Sequence, residues 1–515
     1  MRSLVLLFTL SCLFSHAYAA QLPRTVQDAL LDAEIPLSAV GIEVRAVNAR
    51  LPLLSINSKL PMNPASTMKL LTTYAGLELL GPAYRWKTEA YINGSLKEGI
   101  LEGDLILKGY GDPQLTMEQF WLWLHELRGR GLREIRGNLL LDHSAFLLSP
   151  YDPATFDHDP TRAYNVAPDA FLLNFNTIHL HFIPSVDKVR IYAEPELANI
   201  TLNNQLTVAE QGDCANWNSD ISTQLDGNTL LIQGTFPASC GERSENLSVL
   251  EHADYLNAVF RALWKELGGT LRGELYEGTV PRSATLFSTH NSIPLSESIR
   301  NINKFSNNVM ARQLFLTLGM NYVAAPLAIN PPETIPDSTP ASGELGTDSQ
   351  AVQLEALAET TAVGSALGEL STEPPTETIT LSERVLRGWL AQKHLDYPEL
   401  VLENGAGLSR TERISAQSMA MLLQTAQQSP LQPEFESSLP ILSVDGTLKK
   451  RLNGSAAAGN AHLKTGTLED TRTIAGYVQS RSGKKWIIVF FINHPNAAAG
   501  LQAQDALIEW VQQQR

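Results

Sequence analysis

The pattern that most limits the fold lies at the two ends of the chain. Near the C-terminus, His462 to Thr467, Thr473 to Ser480 and Lys485 to Asn493 read as three strands, with Arg481-Ser482-Gly483-Lys484 as the hairpin turn between the last two. Near the N-terminus, Val40 to Ser55 alternates in the manner of two strands joined near Asn48. A last helix is predicted from Ala498 to Gln514, with Ala503, Leu507, Trp510 and Val511 on one face. Strands at both termini with helices between them imply one α/β domain, of the α+β kind, closed from the two chain ends. The middle of the chain is then spliced into it.

The length of 515 residues allows two to four domains at about 150 residues each. A net charge of -15 argues against nucleic acid as a partner, which calls for a basic footprint. Met1-Arg2, the apolar run from Leu4 to Phe14 and Ala17-Tyr18-Ala19 read as a secretory signal peptide over residues 1–19. Lipid attachment at Cys12 is disfavoured by the shortness of the apolar run before it. No other stretch reaches the ~18 apolar residues of a spanning helix, so membrane association is at most peripheral. Export leaves Cys214 and Cys240, which an oxidising compartment is expected to join in a disulfide.

The middle, from about Arg85 to Arg282, mixes strands, turns and short helices, among them a strand at Gly103 to Lys108 and a helix at Met117 to Arg128. It carries its own apolar patterning and both cysteines, as one or two inserted domains would. From Leu295 a single helical stretch is predicted to run through Lys304-Phe305-Ser306-Asn307-Asn308 to Leu318. Between Arg312 and Arg384 there is no Lys or Arg. Residues 324–378 are rich in Pro, Ala, Ser, Thr, Glu and Gly, the composition of an acidic disordered loop, with a transient helix at Ser349 to Leu370.

Three clusters carry chemistry. Asn63-Pro64-Ala65-Ser66-Thr67-Met68-Lys69 opens a predicted helix whose apolar residues Met68, Leu71, Ala75 and Leu79 recur at helical spacing, ending at Gly81-Pro82. Ser66 and Lys69 fall on one face of one turn. A serine hydroxyl needs a base to take its proton, and a lysine serves when burial or a neighbouring cation lowers its pKa. Alone, such a pair is an ordinary helix surface. Ser306-Asn307-Asn308 adds a hydroxyl and an amide, and Lys464-Thr465-Gly466 ends a strand. Each is ordinary by itself; the three in this order make a specific signature of β-lactamases and penicillin-binding proteins.

With these motifs the chain resembles the low-molecular-mass class C penicillin-binding proteins, D-Ala-D-Ala carboxypeptidase/endopeptidases. Asn63 to Lys69 resembles that family's nucleophile motif, and Gly103-Asp104-Leu105, Gly111-Asp112-Pro113, Gly405-Ala406-Gly407-Leu408-Ser409-Arg410 and Asp445-Gly446-Thr447 resemble further family segments. The 240-residue separation of Ser66 and Ser306 matches the gap that two extra domains fill in the family. The resemblance implies a penicillin-recognising transpeptidase/β-lactamase-like domain from residues 20–85 and 286–515, with two smaller, mainly β domains, one nested in the other, at 86–285. It implies that Ser66 attacks the penultimate D-Ala carbonyl, Lys69 takes the proton, and Ser306 and Asn308 orient Lys69 and relay a proton to the leaving amine. Lys464 and Thr465 would meet the terminal carboxylate, Gly466 would let substrate lie along the strand, and the amides of Ser66 and Thr467 would receive the oxyanion. Asp159, or Asp157 in its place, matches an aspartate that meets the substrate's diamino acid. Peptidoglycan peptides and β-lactams are the implied partners and the periplasm the implied location; no cofactor is implied, and homodimer formation is left open.

Metal chemistry is weakly supported: His179 and His181 alternate on a strand, and His125-Glu126 lacks a second histidine. Two competing readings stand. A β-lactamase shares the trio, but class A enzymes add a water-activating glutamate, for which no clear counterpart appears between Asn308 and Lys464. A catalytically inactive cell-wall scaffold would not need the complete set.

Overall fold

The computed structural model describes residues 21–324 and 376–515. The signal-peptide reading, the body of the acidic loop and its transient helix lie outside them. The two ends of the chain do share a sheet. Its five antiparallel strands run Ala461–Leu468, Thr471–Gln479, Lys485–Asn493, Val40–Ala46 and Leu54–Ile56 in spatial order. Successive side chains of a strand point to opposite faces, and both faces here are covered. Ile488, Phe490 and Ile492 pack with Val26, Leu30, Leu507 and Val511 of the terminal helices Arg24–Asp32 and Leu501–Gln512. Ile487, Val489 and Phe491 turn to the other core, built from the helices Lys69–Leu80, Leu295–Phe305, Asn308–Ala324, Thr378–Gln392 and Ala416–Gln428. Burial on both sides explains why Lys485–Asn493 reads as a continuous apolar run.

The splice into this domain is visible in hydrogen bonds. The chain departs at Trp86 and comes back at Ser292: Ser292 N donates to the Trp86 carbonyl at 2.9 Å and Trp86 N to the Ser292 hydroxyl at 3.0 Å. From there Lys87–Lys97 and Thr285–Asn291 run antiparallel as outgoing and returning strands. They belong to a seven-stranded sheet whose core includes Leu105, Leu107, Trp123, Phe260 and Trp264. Two three-stranded sheets, formed from strands within Ile178–Leu247, fall in sequence inside the span of that larger sheet. Cys214 and Cys240 are joined, with Cα atoms 5.2 Å apart.

The helical stretch expected from Leu295 to Leu318 is two helices. Ser306 takes a left-handed conformation (φ 58°) and caps the first, while the Asn307 side chain accepts the Met310 amide at 3.0 Å and starts the second. Seryl backbone in that region is uncommon, and the break turns Ser306 out of the helix. The described flanks of the acidic loop, Asn308–Ala324 and Thr378–Gln392, lie side by side; a Cβ at Gly319 would come within 2.6 Å of the Thr378 carbonyl.

Candidate active site

The nucleophile motif begins as a 3-10 turn, Ala65–Met68, and becomes α-helix at Lys69. Ala65 is left-handed (φ 44°), and the Pro64 carbonyl gathers the Thr67 amide, the Thr67 hydroxyl and the Thr473 hydroxyl. Gly407 (φ 78°) fits against this turn, where a Cβ would lie 1.8 Å from the Ala65 carbonyl oxygen. Gly466 meets it from the other side: a Cβ there would come 2.8 Å from Ser66 N and 2.2 Å from the Thr473 hydroxyl. Both glycines are therefore demanded by close backbone approach.

Lys69 is fully buried. Its Nζ lies 2.9 Å from Ser66 Oγ and 2.6 Å from Asn308 Oδ1, and it also donates to the Ala406 carbonyl. The last two partners can only accept. A neutral amine uses its two N–H bonds on them, which leaves its lone pair for the Ser66 hydroxyl proton. Burial first, and then the Lys464 and Arg312 charges, hold Lys69 well below the usual lysine range; Glu412 opposes them. Lys464, also fully buried, donates to Ser306 Oγ at 2.8 Å and to the Thr465 carbonyl at 2.7 Å. Burial pushes it down to about 7.

Glu412 belongs to none of the motifs legible in the sequence. It is wholly buried, and its Oε1 accepts the amides of Glu403, Asn404 and Gly405 at 3.1, 3.0 and 2.9 Å. Those bonds fix the loop that delivers the Ala406 carbonyl to Lys69. Backbone carbonyls and the carboxylates that hold their loops leave no side-chain motif to read.

A cleft of about 1440 Å³ opens over Ser66, Ser306, Asn308, Thr465 and Thr467. It exceeds the range of roughly 300–1,000 Å³ usual for small-molecule pockets. Phe156, Asp157 and Tyr164 of the inserted region form part of its wall, and Arg410 lies 4.7 Å over the Phe156 ring, linking the two sides. Asp159 is not part of that lining: its carboxylate takes Arg162 Nε at 2.7 Å and the Thr161 hydroxyl at 2.8 Å. Asp157 is the residue on the cleft, accepting from Tyr164 Oη and Asn165 Nδ2, each at 2.7 Å. Burial works against its charge, yet these bonds keep its carboxyl below the usual range. Thr465 meets Thr447 hydroxyl to hydroxyl at 2.9 Å. The Asp445-Gly446-Thr447 segment is anchored by Lys304, which donates to both Asp445 oxygens at 2.9 and 2.7 Å.

His179 and His181 sit half-buried on one strand with ring centroids 4.3 Å apart; His179 pairs with Asn246, and His181 stacks on Tyr192. Among the described residues no cluster of three or more His, Cys, Asp or Glu is placed to hold a metal, and no helix is long and apolar enough to cross a membrane.

A two-faced sheet closed from both termini, with a serine–lysine pair at its edge strand, defines a serine hydrolase of the penicillin-recognising class. The model of the D-Ala-D-Ala carboxypeptidase 3 (S13) family matches residues 22–330 and 358–514. The chain belongs to that family. It is 24% identical over 460 residues to the D-alanyl-D-alanine carboxypeptidase DacB of Haemophilus influenzae, covering 88% of this chain and 85% of the relative. It is 28% identical over 461 residues to a D-alanyl-D-alanine carboxypeptidase of Actinomadura, covering 86% and 76%. The crystal structure of penicillin binding protein 4 from Haemophilus influenzae shares the fold, with a TM-score of 0.72 at 22% identity over 95% of this chain and 99% of that one.

Proposed function

We propose that this protein is a serine-type D-Ala-D-Ala carboxypeptidase and DD-endopeptidase of the periplasm, acting on peptidoglycan stem peptides and cross-links. The observation that carries the reading is the Lys69 nitrogen, deprived of solvent and 2.9 Å from Ser66 Oγ, with its other two bonds on acceptor-only oxygens. Ser66 Oγ attacks the carbonyl of the penultimate D-Ala as its proton passes to Lys69. The amides of Ser66 and Thr467 receive the oxyanion. The C–N bond then breaks, and the leaving amine takes a proton through Ser306, which Lys464 orients. Water hydrolyses the Ser66 ester, returning free enzyme and the shortened peptide. An extended substrate lies along the strand edge, where the Thr465 hydroxyl meets its carboxylate; the bare Gly466 faces the Ser66 turn and not the cleft, so it serves the packing of the strand on that turn and not the substrate. Asp157, rather than Asp159, meets the amine of the substrate's diamino acid. β-Lactams acylate the same serine.

The domain division follows the same reading: a catalytic domain from 20–85 and 286–515, and an insertion at 86–285 with one domain nested in the other. The chain enters the periplasm behind a cleaved signal peptide.

A class A β-lactamase would add a carboxylate that activates the deacylating water. Glu412, the carboxylate acting on Lys69, is buried with its Oε1 on three backbone amides, and such a group is poorly set for that task. Digestion of purified muropeptides, with product analysis, tests the proposal. Release of terminal D-Ala and of monomers from cross-linked dimers supports it; rapid repeated turnover of nitrocefin without either product supports a β-lactamase, and failure of folded protein to label with fluorescent penicillin supports a scaffold.

A further inference from the structure

Lys464 has the charge expected to meet a substrate carboxylate, but its position argues against that task. Its side chain is fully buried, does not line the cleft, and donates to Ser306 and the Thr465 carbonyl. With burial lowering it to about 7, it is only partly charged at neutral pH. A carboxylate lying in the cleft at Thr465 and Thr467 therefore needs another cation.

Arg472 is placed to supply it. The strands Ala461–Leu468 and Thr471–Gln479 pair with Thr467 opposite Arg472, so the two side chains stand on one face. Arg472 Nη1 donates to Thr467 Oγ1 at 2.8 Å. The guanidinium lines the cleft with Thr447, Thr465 and Thr467, and its buried Nε has no hydrogen-bond partner. The other cationic side chains on this wall are committed or remote. Arg451 is held by Asp505 at 2.5 Å and by Gln504. Arg410 faces Glu469 and Asp470, each at 3.6 Å, and covers Phe156. Lys450 lines the cleft but is exposed, whereas Arg472 is the cation that donates a hydrogen bond to Thr467. An arginine keeps its charge throughout the working pH range, and its planar fork matches a carboxylate.

We infer that Arg472, held against Thr467, is the cation that receives the carboxylate on the leaving group of the substrate, with Thr465 and Thr467 as its hydroxyl partners. The inference rests on the proposed acyl-transfer at Ser66 and adds to it the residue that meets the leaving group's carboxylate. Lys464 is then a positioning residue for Ser306 and not the carboxylate's ligand.

The test compares two thioesters of one N-acyl-D-alanine, the thioglycolate and the uncharged thioglycolamide, which differ only in the leaving-group carboxylate. Turnover of both by the native enzyme, lost in Ser66→Ala, establishes the underlying reaction; native enzyme that turns over neither overturns that reaction and the inference with it. In Arg472→Gln, kcat/KM for the thioglycolate is expected to fall about ten- to a hundred-fold more than for the thioglycolamide, mainly through KM, as loss of a charge-assisted bidentate contact requires. Arg472→Lys should recover part of that preference. An unchanged ratio between the two substrates in Arg472→Gln, whether or not both rates fall, overturns the assignment of Arg472 while leaving Ser66 chemistry in place.

Discussion

Lys464 donates to the Ser306 hydroxyl at 2.8 Å across 158 residues of sequence, tying the end of a strand to a broken helix. Two of the three motifs thus meet in one hydrogen bond. Ser306→Ala removes the acceptor and the proton relay together. We expect acylation by benzylpenicillin to slow by about 10²- to 10⁴-fold, the usual scale for one acid–base group. Stopped-flow acylation checks this, with circular dichroism to confirm the fold. A variant acylating at the native rate would place the relay elsewhere.

The arrival of the three motifs in order was legible in the sequence, as was the closure of one domain from both chain ends. Alternating strands and a buried helix leave periodic traces, and Ser66, Lys69, Ser306, Asn308 and Lys464 are residue types with distinctive chemistry. The helix break at Ser306 was not legible. The apolar period continues through it, and only the left-handed φ of Ser306 and the Asn307 cap reveal it. Asp157 and Asp159 could not be separated either, since both are aspartates in one loop; only the Arg162 contact to Asp159 shows which one is engaged away from the cleft. The contribution of Ala406 was hidden because it is a backbone carbonyl.

Glu412 acts on Lys69 through the loop it holds. Glu412→Ala should free the amides of Glu403, Asn404 and Gly405, lowering the melting temperature by several degrees and acylation by at least about tenfold, as buried donors lose their acceptor. Glu412→Gln keeps one acceptor oxygen and should retain most of both. Equal losses in the two variants would mean that the charge of Glu412, not its grip on the loop, is what matters.

The acylation rate should rise with pH through the lowered pKa of Lys69. Burial and the Lys464 charge favour its neutral form, so the base is present well below the usual lysine pKa and is lost only as acid protonates it. A profile of second-order acylation by benzylpenicillin from about pH 4 to 10 reads this limb. A rate still climbing steeply at pH 10, as a base with the ordinary lysine value of about 10.4 would give, would contradict the lowered pKa of Lys69.

Asp112 lies buried in the Gly111-Asp112-Pro113 segment, with Oδ1 accepting the Gln114 amide at 2.9 Å and Oδ2 unpartnered. Burial raises its carboxyl to about 7. Raised above the unfolded value of about 3.9, it contributes its full stability at lower pH and loses it progressively as pH climbs to about 7. The loss reaches about 4 kcal/mol on the conversion of 1.36 kcal/mol per unit. Asp112→Asn removes the titration, so its melting temperature should gain on the native protein between pH 4 and pH 8. Parallel melting curves across that range would count against it.

The most direct measurement is the intact mass of the protein after exposure to benzylpenicillin, followed by peptide mapping. The account predicts one penicilloyl group, on Ser66, and no adduct on Ser66→Ala with an unchanged circular dichroism spectrum. An adduct on a different residue, or labelling retained in folded Ser66→Ala, would contradict it.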